Sequence, residues 1–254
     1  MKIQSLTGQW EFRKKNEVEW MPAQVPGGVH TDLLALGRIP DPFIGDNEKQ
    51  VQWVAESDWE FQRQFTVEPE ILEQAHIWLV CDGLDTLAAV SLNGSLLGTT
   101  QNMFRQSRWD VKDLLKAGEN DIHIVFDSPV CFITAMQNKR SLQGVPHSIA
   151  GGPYLRKAPC HFGWDWGPKL PAIGIWKDIR LEGCGNARIE EVRFTQHHEK
   201  DGVRLEAQTH IQKWDDAPAT ANLEILAPDG EIFASQAVFD EKTCTLEIKL
   251  ADTH

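Results

Sequence analysis

Apolar and polar positions alternate through most of this chain and mark out strands. In WEFQRQFTV, Trp59, Phe61, Arg63, Phe65 and Val67 fall on one face, with Glu60, Gln62, Gln64 and Thr66 on the other. A period of two is that of an extended strand, whose successive side chains point to opposite sides of a sheet. GQWEFRK, HIWLVCDG, TLAAVSLNGSLLGTT, RWDV, NDIHIVFDSP and IWKDIRLEG read as further strands. Asn93-Gly94 divides the third of these as a two-residue hairpin turn, which explains Asn93-Gly94-Ser95 better than glycosylation does. KDLLKAGEN predicts a short helical turn stopped at Gly118. PVCFITAMQNKRSL, with Pro129 in its first turn, is the single strong helix. Many short strands with one late helix predict an antiparallel sandwich or jelly roll.

Gly183-Cys184-Gly185-Asn186 punctuates the pattern. Beyond it ARIEEVRFTQ, GVRLEAQTHIQKW, ATANLEILAPDGEIFASQAVF and TCTLEIKLA give about five regular strands, with Asp229-Gly230 as a hairpin turn. An immunoglobulin-like sandwich has about seven. The expectation is an all-β chain: a jelly-roll domain over residues 1–184, then an immunoglobulin-like sandwich over residues 185–254, incomplete at its C-terminal end.

Two stretches break the alternation. Residues 25–52, rich in proline, glycine and acids, form a long connection of the kind that is usually functional. Its aliphatic and aromatic content predicts an ordered segment wrapped over the first sandwich and held by Phe43, Ile44 and the prolines. The other stretch is HFGWDWGPKLP, residues 161–171. Pro168 and Pro171 exclude a helix, and nothing alternates cleanly enough for a strand. Trp164 and Trp166 flank Asp165 on what must be a loop, whereas Trp10, Trp59, Trp78 and Trp176 lie in strand-like runs and are assigned to the core.

Composition narrows the function classes. A net charge of −12 over 254 residues opposes binding to nucleic acid or to anionic membrane surfaces. No apolar run approaches the ~20 residues of a spanning helix, and MKIQSLTGQWEF lacks the apolar region of a signal peptide. Five widely spaced cysteines without a CxxC pair read as idle thiols in a reducing compartment, so a cytoplasmic location is expected. Ten tryptophans against one tyrosine suit a protein that stacks indoles on flat ligands, sugar rings among them. No metal or cofactor is expected. His197-His198-Glu199 reads as a solvated turn, and DPFIGDNE lacks the acid spacing of a calcium loop. No phosphate-binding loop or GxSxG elbow is found.

Taken in order, VPGGVHTDLL, IPDPFIGDNE, WVAESDWEFQRQF, GLDTLAAVSLNG and KAPCHFGWDWGPKLPAIGIWKDIRLEG resemble the N-terminal part of the β-mannosidases of glycoside hydrolase family 2. The resemblance runs across most of residues 1–184, and WDWGP together with PDPFIGDNE is its most specific part. It implies a sugar-binding-type, galactose-binding-like jelly roll, an immunoglobulin-like sandwich, and a (β/α)8 barrel beyond residue 254 that carries both catalytic glutamates. It further implies retaining hydrolysis of terminal non-reducing β-D-mannose. The loop would meet the mouth of the barrel, with Asp165 bonding mannose hydroxyls and Trp164 and Trp166 shaping the wall.

Chemistry agrees that this chain holds no catalytic pair. Retention needs two carboxyls about 5–5.5 Å apart. Asp41, Asp46 and Glu48 sit in a turn-rich run where acids are ordinary turn formers, and Asp165 has no carboxyl companion in its own segment. The chain alone is expected to be inactive and to bind free mannose weakly. Residues 160–168 are expected at the surface with Asp165 at least partly exposed. The competing reading is a structural loop whose aspartate caps backbone amides. At the level of the whole chain, a freestanding carbohydrate-binding or scaffold module, or another sugar specificity within the same family, remain the alternatives.

Overall fold

The computed structural model describes residues 1–251, and the chain divides between Gly183 and Cys184 into two units. The first contains β1 (Lys2–Ser5), β2 (Gly8–Lys14), β3 (Met21–Val25), β4 (Trp59–Thr66), β5 (His76–Cys81), β6 (Leu84–Asp85), β7 (Ala88–Leu92), β8 (Ser95–Thr100), β9 (Ser107–Asp110), β10 (Glu119–Phe126), β11 (Gly174–Ile175) and β12 (Ile179–Cys184). They form a six-stranded sheet, β3-β2-β4-β10-β7-β8, a four-stranded sheet, β1-β12-β5-β9, and a small pair, β11-β6. The observed ladders are antiparallel, as in a jelly roll.

The core lies where the alternation placed it. Trp59, Phe61 and Phe65 of β4 point inward beside Phe12 of β2 and Phe126 of β10, and Phe61 meets Phe126 edge-on at 5.5 Å between ring centroids. Arg63 shares that face. Its Nη1 donates to the carbonyls of Leu6 at 2.6 Å and Thr7 at 2.5 Å, so backbone acceptors compensate part of the guanidinium's burial. Trp10, Trp59 and Trp78 are buried as expected, but Trp176 is only half-buried. The β11–β6 pairing ends at Ile175. The next indole turns out over Gly83, where an added Cβ would lie 2.4 Å from its Nε1, and donates to the Met103 carbonyl at 3.0 Å.

Short helices punctuate the strands: α1 (Val29–Ala35), α2 (Gln52–Ala55), α3 (Pro69–Leu72) and α4 (Pro129–Lys139). α4 is the expected helix, and the Ser128 hydroxyl caps it by accepting from the Cys131 amide. α1 is not expected, because it lies in the segment read as a long loop. That segment is held by Val29, Leu33, Ile39 and Val51, all in the main core. Phe43 and Ile44, expected to hold it, are 75% and 63% exposed. They sit on a tight turn in which the Asp41 carboxylate accepts from the Phe43 amide at 2.9 Å, and the turn aims them outward. Of the prolines here, only Pro42 is buried.

The second unit contains β13 (Ala187–Glu199), β14 (Gly202–Lys213), β15 (Thr220–Leu226), β16 (Ile232–Val238) and β17 (Thr243–Ala251). These form two antiparallel sheets, β13-β14-β17 and β15-β16, around a small cluster of Ala207, Cys244 and Leu246. His197, His198 and Glu199 are paired with β14 at the end of β13 and do not form a turn. Among the described residues, no group of three or more His, Cys, Asp or Glu is arranged to hold a metal ion. None of their helices is long and apolar enough to cross a membrane.

Candidate functional site

Residues 157–172 form an irregular stretch of the first unit that leads back to β11. A single turn of 3-10 helix, Pro159–Phe162, opens the loop. Phe162 is buried against Leu87, Ile133 and Leu155, and its carbonyl accepts from the Ile149 amide at 2.8 Å. Gly163 then takes φ +95°, a conformation that side-chain-bearing residues rarely adopt. A Cβ there would also strike Lys169 Cγ at 2.4 Å. The Trp164 amide closes the tip by donating to the Gly167 carbonyl at 3.1 Å.

The tip carries the three residues singled out from the sequence. Trp164 is 40% and Trp166 74% exposed, and Asp165 between them is exposed as well. Among the described residues, no hydrogen bond reaches the Asp165 carboxylate. It does not cap backbone amides. The three tip residues help to line an open depression of about 650 Å³, together with Phe43, Glu48 and His147 among others. The two most distinctive stretches of the sequence therefore meet at one place. Gln52 stitches them together, its Nε2 donating to the Glu48 carbonyl at 2.8 Å and the Lys169 carbonyl at 2.9 Å. Asp46 stands at the surface paired with Lys49, and Asp41 is spent on its turn; neither lines the depression.

Beneath the loop lies a polar cluster that the sequence reading missed. Lys157 and Asp85 form an ion pair whose side chains are 0% and 2% exposed. The Lys157 Nζ also donates to the Ala172 carbonyl at 2.7 Å, and the Thr86 hydroxyl donates to the other Asp85 oxygen. His161 Nδ1 lies 3.7 Å from Asp85 Oδ2, and neither ring nitrogen of His30 has a protein partner. Burial pulls the Lys157 pKa below its ordinary value against the opposing pull of Asp85. It lowers His161 too, helped by the Lys157 charge. His30 falls to about 4 through burial and then the charges of Lys157 and His161, so its ring is neutral at pH 7. A cavity of about 500 Å³ adjoins His30, Asp85, His161 and Trp176. On α1, two residues beyond His30, burial raises Asp32 to about 6, although its carboxylate accepts from the Gln24 amide. The available signal was an acid inside an apolar run, Leu84-Asp85-Thr86-Leu87, which calls for a buried partner.

A two-sheet antiparallel sandwich of this kind has the architecture of the galactose-binding-like class. The family described as "Glycosyl hydrolase 2 galactose-binding domain-like" matches residues 10–177. The chain belongs to this family. The goat (Capra hircus) β-mannosidase is 35% identical over 199 residues, which are 75% of this chain and 22% of that protein. β-Mannosidase B of Thermothelomyces thermophilus is 40% identical over 183 residues, 70% of this chain and 21% of that protein. A crystal structure of β-D-mannosidase from Dictyoglomus thermophilum superposes with a TM-score of 0.87 at 34% identity, covering 98% of this chain and 31% of that one. The chain thus spans about a fifth of the length of these curated relatives.

Proposed function

We propose that this chain is the N-terminal, non-catalytic part of a retaining exo-β-mannosidase that removes terminal non-reducing β-D-mannose. Its loop would complete the sugar pocket on a barrel carried by the remainder of the enzyme. The observation that carries the reading is the free Asp165 carboxylate, held at the tip of the loop between two exposed indoles. A carboxylate accepts paired hydrogen bonds from vicinal hydroxyls, and charged acceptors make the stronger bonds. Indoles exclude water and lie against the C–H face of a sugar ring. The relatives named β-mannosidase support the choice of sugar.

The chain itself is proposed to be inactive. A general acid for glycoside cleavage is a carboxyl kept protonated by a desolvating site, whereas Asp165 stands in solvent and Glu48 is half-buried on an open rim. We further propose an immunoglobulin-like second unit, supported by its five strands in two antiparallel sheets. A cytoplasmic setting is supported by five cysteines outside any disulfide, three of them buried. The test is an assay of a protein carrying this chain with its catalytic region on chromogenic β-mannoside, β-galactoside and β-glucuronide. Preference for β-mannoside, lost on Asp165→Ala, is the expected result. Preference for another glycoside overturns the specificity, and turnover by the purified chain alone overturns its non-catalytic role.

A further inference from the structure

We propose that Lys157 and Asp85 are positioning residues that set where the Asp165 carboxylate stands, an inference that rests on reading the loop as part of a sugar pocket. Lys157 lies at the entry of the loop and Ala172 at its exit, and the Lys157 Nζ bonds the Ala172 carbonyl at 2.7 Å. The same ammonium bonds Asp85, which sits on β6 opposite Gly174 of β11, the strand into which the loop returns. One cation thus joins both ends of the loop to a sheet. Neighbouring contacts support the same two ends. The Met103 amide donates to the Arg156 carbonyl at 3.0 Å, and Gln52 holds the Lys169 carbonyl. His161 and His30 face the pair from the loop and from α1. Residues 163–168, between these supports, carry the tip.

Stability alone is a poor account of this pair. Replacing both members of a buried ion pair by neutral side chains of similar volume often costs nothing, because desolvation offsets the Coulombic attraction. Apolar contacts, though, are non-directional and let a loop slide, whereas an ammonium with two fixed acceptors defines a position. Misplacing a binding group by about 1 Å can cost on the order of 10²-fold in rate. A device that locates the base of a loop is therefore felt at its tip.

The test is the doubly neutral variant Asp85→Asn/Lys157→Met, followed by hydrogen exchange in this chain and by kinetics in the longer enzyme. The amides of Gly163 and Trp164, bonded to the carbonyls of Cys160 and Gly167, report the order of the tip. They are expected to exchange roughly tenfold faster while β4 and β10 exchange at the native rate. In the longer enzyme kcat/KM is expected to fall by about 10²-fold, with little further loss when Asp165→Ala is added. Lys157→Arg keeps the charge but moves the donors, and should show the same tip-selective exchange if the double variant does not fold. Unchanged exchange at Gly163 and Trp164, or a uniform rise over strands and loop alike, overturns the proposal. So does a kinetic loss that adds in full to that of Asp165→Ala. If Asp165→Ala leaves kcat/KM unchanged, the sugar-pocket reading falls while the exchange result still stands.

Discussion

The base and the tip of the 157–172 loop are built on opposite principles. At the base the main anchoring groups are spent internally: Lys157 on Asp85 and Ala172, Phe162 on an apolar cluster, Gln52 on two carbonyls. At the tip almost nothing is spent. Asp165 is free, and Trp166, an expensive residue to leave in water, is 74% exposed. Side chains that hold the fold and side chains left unpaired, which we propose to serve a ligand, are thus a few residues apart, and they can be separated by which property each mutation moves.

The sharpest separation comes from the base. Lys157→Met leaves Asp85 buried without its cation and is expected to cost about 3–5 kcal/mol of unfolding free energy; Phe162→Ala should cost a similar ~3–5 kcal/mol. Denaturant titration of each variant measures both, and a loss below about 1 kcal/mol would mean that the base is not what holds the loop. Next comes Asp165→Ala, expected to cut kcat/KM for a β-mannoside by about 10²-fold in the longer enzyme, a charged hydrogen-bond acceptor being lost. Its unfolding free energy should stay within about 0.5 kcal/mol of native. Asp165→Asn should be milder, near tenfold, since one acceptor is kept. A variant that loses stability but keeps kcat/KM would erase the distinction between tip and base. Trp166→Ala should leave the unfolding free energy within about 0.5 kcal/mol of native, as exposed positions do.

A separate effect, small in the native chain because two slopes oppose, lies at α1 and concerns pH. His30, lowered to about 4, contributes stability that is full above its ordinary 6.5 and lost as pH falls towards 4. Asp32, raised to about 6, behaves in the opposite way: its contribution is full below 3.8 and lost as pH rises through 6. Between pH 4 and 6 the two slopes oppose, each at most about 1.4 kcal/mol per pH unit. Thermal unfolding across that window should show Asp32→Asn becoming less stable on acidification and His30→Leu more stable. Parallel slopes in the two variants would contradict the assignment.

What could be read in the sequence was whatever is local. The inward face of β4 follows from a period of two, and the Asn93-Gly94 turn from two residues that accept φ of 50° and 78°. The exposed tip was legible because prolines and glycines forbade every regular alternative. α1 was hidden: at seven residues it is too short to show a helical period, and it sits among loop-forming residues. Phe43 and Ile44 misled for a related reason, since hydrophobicity says what prefers burial but not where a turn will aim it. Lys157 was out of reach because its partner lies 72 residues earlier in the chain. Nothing near Lys157 or near Asp85 in the sequence names the other, and only the pairing of β6 with β11 brings them together.

The clamp from Lys157 to Ala172 also makes the segment between them a cassette. With its ends held from below, the tip contributes little to closing the fold, and lengthening such a loop is cheap in entropy: each doubling costs only about 0.6 kcal/mol. Variation can therefore accumulate in residues 164–168 without disturbing the sandwich beneath, while Gly163 stays fixed by its φ of +95°. A different tip on the same socket would present a different chemistry to whatever stands opposite.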